Sequence, residues 1–367
     1  MAVPRETVWK RDPHTAEKHA ILRGYLNAWW PIILQSFPGA TYAEGFAGPG
    51  EYEDGEDGSP IEALHALLDR PNPLPGKPAR FVLVEEREDR VQHLSKVIKD
   101  RYPALPSHVH IRSRQGSCEH WLLPELDEAG AWGQPVFAML DPFNVEVPYP
   151  VIQRIGGKRS SEVLVTFMSS WLTRWARDEN QDQGDRMLGD REWRKVADVP
   201  TDDKKAWLVS LYCRRLTQAG FRFQTAFELL NPGGQAFFLV FATTNKLGIE
   251  KMKDAMWARD RVHGVRFRDP RSPDQLSFDI EEHPDLRGLE RLLVDRLELD
   301  QPTPVETLRE WTLLETAFRP PHGQQVLKRW ADAEYLKVVD GGRLLKASTV
   351  VLRRRPPLSP APPPRML

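Results

Sequence analysis

Apolar side chains near the start of the chain recur three and four positions apart: Ala16, His19, Ile21, Leu22, Tyr25, Leu26, Trp29, Trp30, Ile33 and Leu34. This spacing matches the helical period and predicts an amphipathic helix within residues 9–36, with Thr15 as its N-cap. The pattern then changes to short continuous apolar runs at Ala40–Phe46, Ala79–Glu85, Val109–Ser113, Pro135–Leu140 and Glu162–Met168. Helical stretches separate the first four of them: Ser59–Leu68, Arg90–Lys99 and Glu119–Ala129. Apolar runs of strand length alternating with helices predict βαβ units and an α/β fold, a doubly wound, mostly parallel sheet. Residues 223–230 and 235–242 read as an antiparallel closing pair around the turn Asn231-Pro-Gly-Gly. Lys246–Arg259 reads as a further helix, with Met252 and Met256 as core packing.

Between these runs, residues 169–218 are polar, helical and rich in tryptophan (Trp171, Trp175, Trp193, Trp207), with Arg174, Arg177, Arg194, Lys195, Lys204 and Lys205 interleaved. The segment reads as an insertion in a domain spanning 1–260. It is either a nucleic-acid face with stacking platforms or an amphipathic lid over the active site. Periodicity weakens over 261–302, a charged linker. Residues 303–355 read as a separate unit, with helices at Pro304–Thr312, Leu313–Phe318 and His322–Ala333, then a hairpin from Leu336–Lys346 and Val350–Arg355. Three helices and a wing describe a winged-helix-like domain. Its third helix would expose Gln324, Gln325, Lys328 and Arg329, and its wing Arg343, Lys346 and Arg353–Arg355, toward nucleic acid or a docking protein. Residues 356–367 form a proline-rich tail expected to be disordered.

Composition narrows the function classes. Lys and Arg number 51 against 52 Asp and Glu in 367 residues, so any basic surface is local. The two cysteines, Cys118 and Cys213, form no metal-binding or disulfide pattern, which points to a reducing cytoplasm and no metal site. No stretch reaches the roughly 20 consecutive apolar residues of a membrane span, and the N-terminus lacks the apolar core of a secretory signal.

Candidate chemistry lies where the apolar runs end. The first closes on Glu44-Gly-Phe-Ala-Gly-Pro-Gly50, the second on Glu85-Glu86, the third on Gly116-Ser117 and the fourth on Asp141-Pro-Phe-Asn144. In an open parallel sheet these ends share one crevice, where ligands bind. The loop has neither the Gly-x-Gly-x-x-Gly spacing of a dinucleotide site nor the lysine of a phosphate loop. The ordered set resembles the S-adenosylmethionine-dependent methyltransferases, which have a Rossmann-like fold. That resemblance implies that Glu44, Gly45, Phe46, Ala47, Gly48 and Gly50 form the floor under the methionine part, with Glu44 meeting its ammonium. It also places Glu85 or Glu86 on the ribose hydroxyls, and Gly116 and Ser117 near the adenine.

Asp141, Pro142, Phe143 and Asn144 resemble the Asp/Asn-Pro-Pro-Tyr/Phe motif of methyltransferases that act on the adenine amino group. There the acid and a backbone carbonyl accept the amino hydrogens. Phe143 stands here for the second proline and Asn144 for the aromatic residue.

A narrower resemblance runs from Asp12-Pro-His-Thr-Ala-Glu-Lys-His19 through Glu44–Gly50 and Leu140–Phe143 to Phe241-Ala-Thr-Thr-Asn245 and Gly248–Met256. It is to the three-Cys-motif partner (TcmP) family. That resemblance implies a methyltransferase-like chain with a winged-helix-like part, associated with a three-cysteine-motif protein that resembles radical S-adenosylmethionine enzymes. Two functions follow as expectations. One is a methyltransferase acting on a nucleobase amino group. The other is a weakly catalytic or non-catalytic nucleic-acid-binding partner in DNA repair or processing. His14 and His19 read as packing or capping residues.

Overall fold

Pro13 starts helix α1 (Pro13–Ser36), because a proline at the first position gives up an N–H that has no helical acceptor. The carbonyl of Asp12 accepts from the N–H groups of Thr15 and Ala16, both at 3.0 Å, so the helix begins before the Thr15 cap expected from the sequence. The computed structural model describes residues 4–142, 147–177, 181–231, 235–268, 283–339 and 341–358. They form two compact units. One runs to residue 255 and includes 266–268, and the other comprises 256–265 and 283–358.

The first unit is wound around one sheet. Its strands are β1 (Ala40–Glu44), β2 (Ala79–Glu85), β3 (Val109–Gln115), β4 (Val136–Leu140), β5 (Ser161–Phe167), β6 (Phe223–Leu230), β7 (Ala236–Thr243) and β8 (Arg266–Arg268). They lie in the order β3-β2-β1-β4-β5-β7-β6-β8. Every neighbouring pair is parallel except those made by β7, which runs antiparallel to both β5 and β6. The β6–β7 pairing is the expected closing pair. β3 continues to Gln115, two residues beyond the expected strand. β8 falls inside the expected linker. It is held at the sheet edge by Arg266, whose guanidinium meets the buried Glu228 carboxylate.

Strand alternation places successive side chains on opposite faces. Tyr42, Phe81, Phe137 and Phe241 face α1, where Tyr25 lies 5.4 Å from the Phe137 ring and Trp30 lies 5.6 Å from Phe81. Such aromatic pairs are worth about 0.5–1.5 kcal/mol each beyond the area they bury. The other face carries Ala43, Val82, Ala138, Val163 and Val240. It is covered by α4 (Cys118–Glu128), α5 (Tyr149–Gly156) and α8 (Lys204–Gln218). The tryptophan-rich segment is part of this cover. Beside α8 it contains α6 (Ser169–Trp175) and α7 (Gln181–Leu188). Trp193 is fully buried and donates to Asp185 at 2.9 Å. Trp171 is also buried, 6.0 Å from the Trp175 ring, so neither Trp171 nor Trp193 offers a stacking platform.

The remaining helices of this unit are α2 (Ser59–Leu68), α3 (Glu88–Arg101) and α9 (Lys246–Arg259), whose last turn enters the second unit. The second unit contains α10 (Arg287–Arg296), β9 (Pro302–Pro304), α11 (Val305–Glu315), α12 (Pro320–Asp332), β10 (Leu336–Val338) and β11 (Thr349–Leu352). α10 also falls inside the expected linker, and its Leu289 and Leu293 are fully buried with Leu308, Val326 and Leu327. α11 stops at Glu315, so the short helix expected at Leu313–Phe318 does not form. β11 pairs antiparallel with β10 and β9.

Candidate functional site

The sheet order reverses between β1 and β4: β2 and β3 continue on one side and β5 on the other. At such a switch point the loops leaving the two strands diverge and open a crevice at the carboxyl ends. The loop leaving β1 is bent by its glycines. Gly45 packs against α4, where a Cβ would lie 2.4 Å from Cys118 Sγ. Gly48 and Gly50 hold φ of 63° and 85°, in the left-handed region that favours glycine. Ala47 donates to the carbonyl of Val84 at 2.9 Å, which draws the loop over the end of β2.

The carboxylates of this region face different ways. Glu44 accepts from the Tyr42 hydroxyl at 2.5 Å and the Ser59 hydroxyl at 2.7 Å, tying β1 to the first turn of α2. Burial pushes its carboxyl up to about 8, against the pull of those two hydrogen bonds. Glu85 accepts from the backbone N–H of Gly48 at 2.9 Å and of Arg87 at 3.0 Å. It braces the glycine loop from behind, whereas Glu86 points to solvent. Gly116 donates to the Glu85 carbonyl, and Ser117 precedes α4 with its hydroxyl 2.7 Å from His120 Nδ1.

Asp141 follows β4 and meets the buried Lys18 of α1 in a partly exposed ion pair. Burial pushes the Asp141 carboxyl up, but the Lys18 ammonium more than offsets it and holds the group below the ordinary carboxylate range. His19 lies beside this pair, with Nδ1 3.2 Å from the carbonyl of Asp57. Burial, reinforced by Lys18, lowers its pKa to about 3. Phe143 and Asn144 lie outside the described residues.

Residues 4–11 form a strap over the crevice. Arg87 donates to the carbonyls of Pro4 (3.1 Å) and Arg5 (2.7 Å), and Arg90 to those of Pro4 (2.7 Å) and Glu6 (3.1 Å). Trp9 lies 4.6 Å from the Arg90 guanidinium and meets Tyr52 edge-on at 5.6 Å. A Cβ on Gly48 would meet only the Trp9 ring, at 4.0 Å, so the indole occupies the space above the loop. A cavity of about 30 Å³ remains, lined by Trp9, His19, Gly48, Tyr52, Ser59 and Asp141 among others. That is water-sized, whereas small-molecule sites typically measure about 300–1,000 Å³. The glycine loop fits a ligand that needs close backbone approach once the Trp9 ring has moved aside.

The second unit carries a groove of about 570 Å³ between α12 and the 341–344 loop. Gln324, Lys328, Lys337 and Arg343 line it, with Asp332 and Glu334. From Arg319 to Arg355 nine Lys and Arg stand against three Asp and Glu, while from Asp285 to Glu315 four stand against eight. Gln325, Lys328 and Lys346 are exposed as expected. Arg329 is engaged by Glu290, and Gln324 accepts from Arg309 at 2.7 Å.

The glycine loop and Asp141, both candidates from the sequence, lie together at this cavity, and Lys18, Trp9, Tyr52 and Ser59, which were not candidates, lie beside them. Lys18 had a signal: it lies four residues from both His14 and Leu22, on the buried face of an amphipathic helix. The strap had none, since Trp9 precedes any periodic segment.

No protein-family model matches the chain, and no curated protein sequence does. Among solved structures, Trm1 from Pyrococcus horikoshii with S-adenosyl-L-methionine is 12% identical with a TM-score of 0.41, over 70% of this chain and 62% of that one. The chain therefore spans less than two thirds of the length of Trm1. The N-terminal domain of human METTL16 in complex with SAH is 12% identical, TM-score 0.37, over 67% and 75%. The precorrin-6y C5,15-methyltransferase from Geobacter metallireducens GS-15 is 11% identical, TM-score 0.33, over 67% and 94%. Likenesses this distant leave the chain's own residues to carry the functional reading.

Proposed function

We propose that the chain is an S-adenosylmethionine-dependent methyltransferase acting on a nucleic-acid base amino group. The observation that carries this reading is the convergence, at the switch point between β1 and β4, of a left-handed glycine loop, the Glu85 brace and an ionised Asp141. When bound, the cofactor supplies an electrophilic methyl group. Gly48 and Gly50 allow the backbone close to it, and Trp9 must swing away to admit it. Asp141, kept ionised by Lys18, accepts a hydrogen from the acceptor's amino group and so orients the nitrogen lone pair. Orientation is the main requirement of such a transfer. In this reading the second unit is a winged-helix-like module holding the nucleic acid along α12 and the 341–346 loop.

Titration calorimetry with S-adenosylmethionine tests the cofactor half. Gly48→Asp, which puts a carboxylate into the loop and strains its left-handed backbone, is expected to weaken binding at least about tenfold, or 1.4 kcal/mol. No heat from the wild type, or equal affinity in the variant, removes the reading.

The occupied Asp141 and the narrow cavity favour a second reading. In it the chain is a weakly catalytic or non-catalytic nucleic-acid-binding partner of a three-cysteine-motif, radical S-adenosylmethionine-like protein in the cytoplasm. Incubation with methyl-labelled cofactor and mixed cellular DNA and RNA separates the two. Label in either polymer excludes a purely non-catalytic role.

A further inference from the structure

The geometry points to His19 as the proton acceptor for the amino group that Asp141 orients, an inference that rests on the methyltransferase reading. The Asp57 carbonyl fixes the tautomer of His19. His19 Nδ1 sits 3.2 Å from the Asp57 carbonyl oxygen, and a carbonyl can only accept. Nδ1 therefore carries the hydrogen, and the lone pair of the neutral ring is on Nε2. That nitrogen has no hydrogen-bond partner among the described residues, although the side chain is only 3% exposed.

His19 and Asp141 line the same cavity, together with Ser59, and no ion pair joins them among the described residues. Nε2 is not one of the fully buried unpaired atoms, so this unpaired acceptor of a nearly buried ring keeps contact with the cavity that His19 lines. A donor that arrives with the substrate can reach it there. Asp141 takes one hydrogen of an amino group and Nε2 is free to take the other.

The balance of the step is simple. The amino nitrogen's lone pair forms the bond to the methyl carbon as the carbon–sulfur bond breaks, and that bond's electron pair stays on sulfur. The nitrogen, now positive, gives its proton to Nε2. The resulting imidazolium faces the Asp141 carboxylate, which favours it, while Lys18 and Arg11 oppose it and promote return of the proton to solvent. A methylated exocyclic amino group of a base is a strong acid before it loses that proton, so a weakly basic imidazole suffices.

Two measurements on the full-length chain test this. Long-range ¹⁵N–¹H correlation spectra of the histidine-labelled protein, with His19 assigned from the spectrum of His19→Gln, are expected to show a neutral Nδ1–H tautomer from pH 5 to 8. An Nε2–H tautomer or an imidazolium at pH 7 overturns the assignment whether or not the chain is active. In the labelled-methyl assay with mixed DNA and RNA, His19→Asn retains a donor toward Asp57 but has nothing at the Nε2 position. It is expected to lose at least tenfold in transfer rate with the affinity for S-adenosylmethionine unchanged. Transfer at the wild-type rate overturns the role. Absence of transfer by the wild type removes the methyltransferase reading itself, and the role with it, while the tautomer is still decided by the spectra.

Discussion

Glu44 and His19 lie close to the same crevice, and burial moves them in opposite directions. Glu44 keeps its proton up to about pH 8 in the folded chain and to about 4.5 when exposed. Its contribution to stability is therefore full below about pH 4.5 and is lost as the pH rises through 8. His19 ionises near 3 in the folded chain against an ordinary 6.5. Its contribution is present above pH 6.5 and is lost as the pH falls through 3. Between pH 6.5 and 8 only the Glu44 effect operates of these two, although Glu62 and Glu162, both pushed up by burial, add to it. Glu44→Gln is expected to flatten part of the decline in thermal midpoint that the wild type shows from pH 6.5 to 8.5. Calorimetric scans across that range check it, and parallel curves for the two proteins would show that Glu44 ionises normally.

At the level of elements, what could be read in advance depended on how local the determinant was. The alternation of apolar runs with helices, and the glycine loop between β1 and α2, are written in neighbouring residues, and both were legible. The covering role of residues 169–218 was not. A buried tryptophan such as Trp193 and an exposed stacking ring have the same local sequence, and only packing against the sheet separates them. α10 was hidden for a related reason. Its buried apolar positions, Leu289, Leu293 and Val294, are interleaved with five charged residues and acquire a face only when α12 and β11 are present. The strap is the extreme case, since its backbone carbonyls are chosen by Arg87 and Arg90, some eighty residues later. Its effect on the site can be isolated. Trp9→Ala leaves the Pro4, Arg5 and Glu6 carbonyls bound and removes only the ring above Gly48. If the closed strap limits binding, its opening removes a population penalty, and apparent affinity for S-adenosylmethionine should rise by about tenfold. Equal affinities in titration calorimetry would place the barrier elsewhere, for instance at Tyr52.

At the scale of the whole molecule, the proposed function divides its chemistry between the two units. Every residue assigned to the cofactor and the amino group belongs to the first unit, and the exposed basic residues of α12 and the loop after β10 belong to the second. With a net charge of −1 over the whole chain, attraction to a polyanion has to come from this local excess. Binding built on phosphate contacts should weaken linearly in log–log plots against salt, with a slope of about 0.9 per phosphate neutralised. Changing Lys328, Arg343 and Lys346 together to Glu in the full chain is therefore expected to reduce oligonucleotide affinity at least about a hundredfold and to lower the salt slope by about 2–3. Binding of S-adenosylmethionine should be untouched, because none of the three residues belongs to the unit that holds the crevice. Arg329→Glu is the informative contrast. Its guanidinium is already engaged by Glu290, so reversal there should cost stability through two facing carboxylates more than it costs affinity. Fluorescence anisotropy over a range of salt concentrations, with thermal scans of both variants, distinguishes the outcomes. A triple variant that binds oligonucleotide like the wild type, with the same slope, would move the nucleic-acid contact out of the second unit.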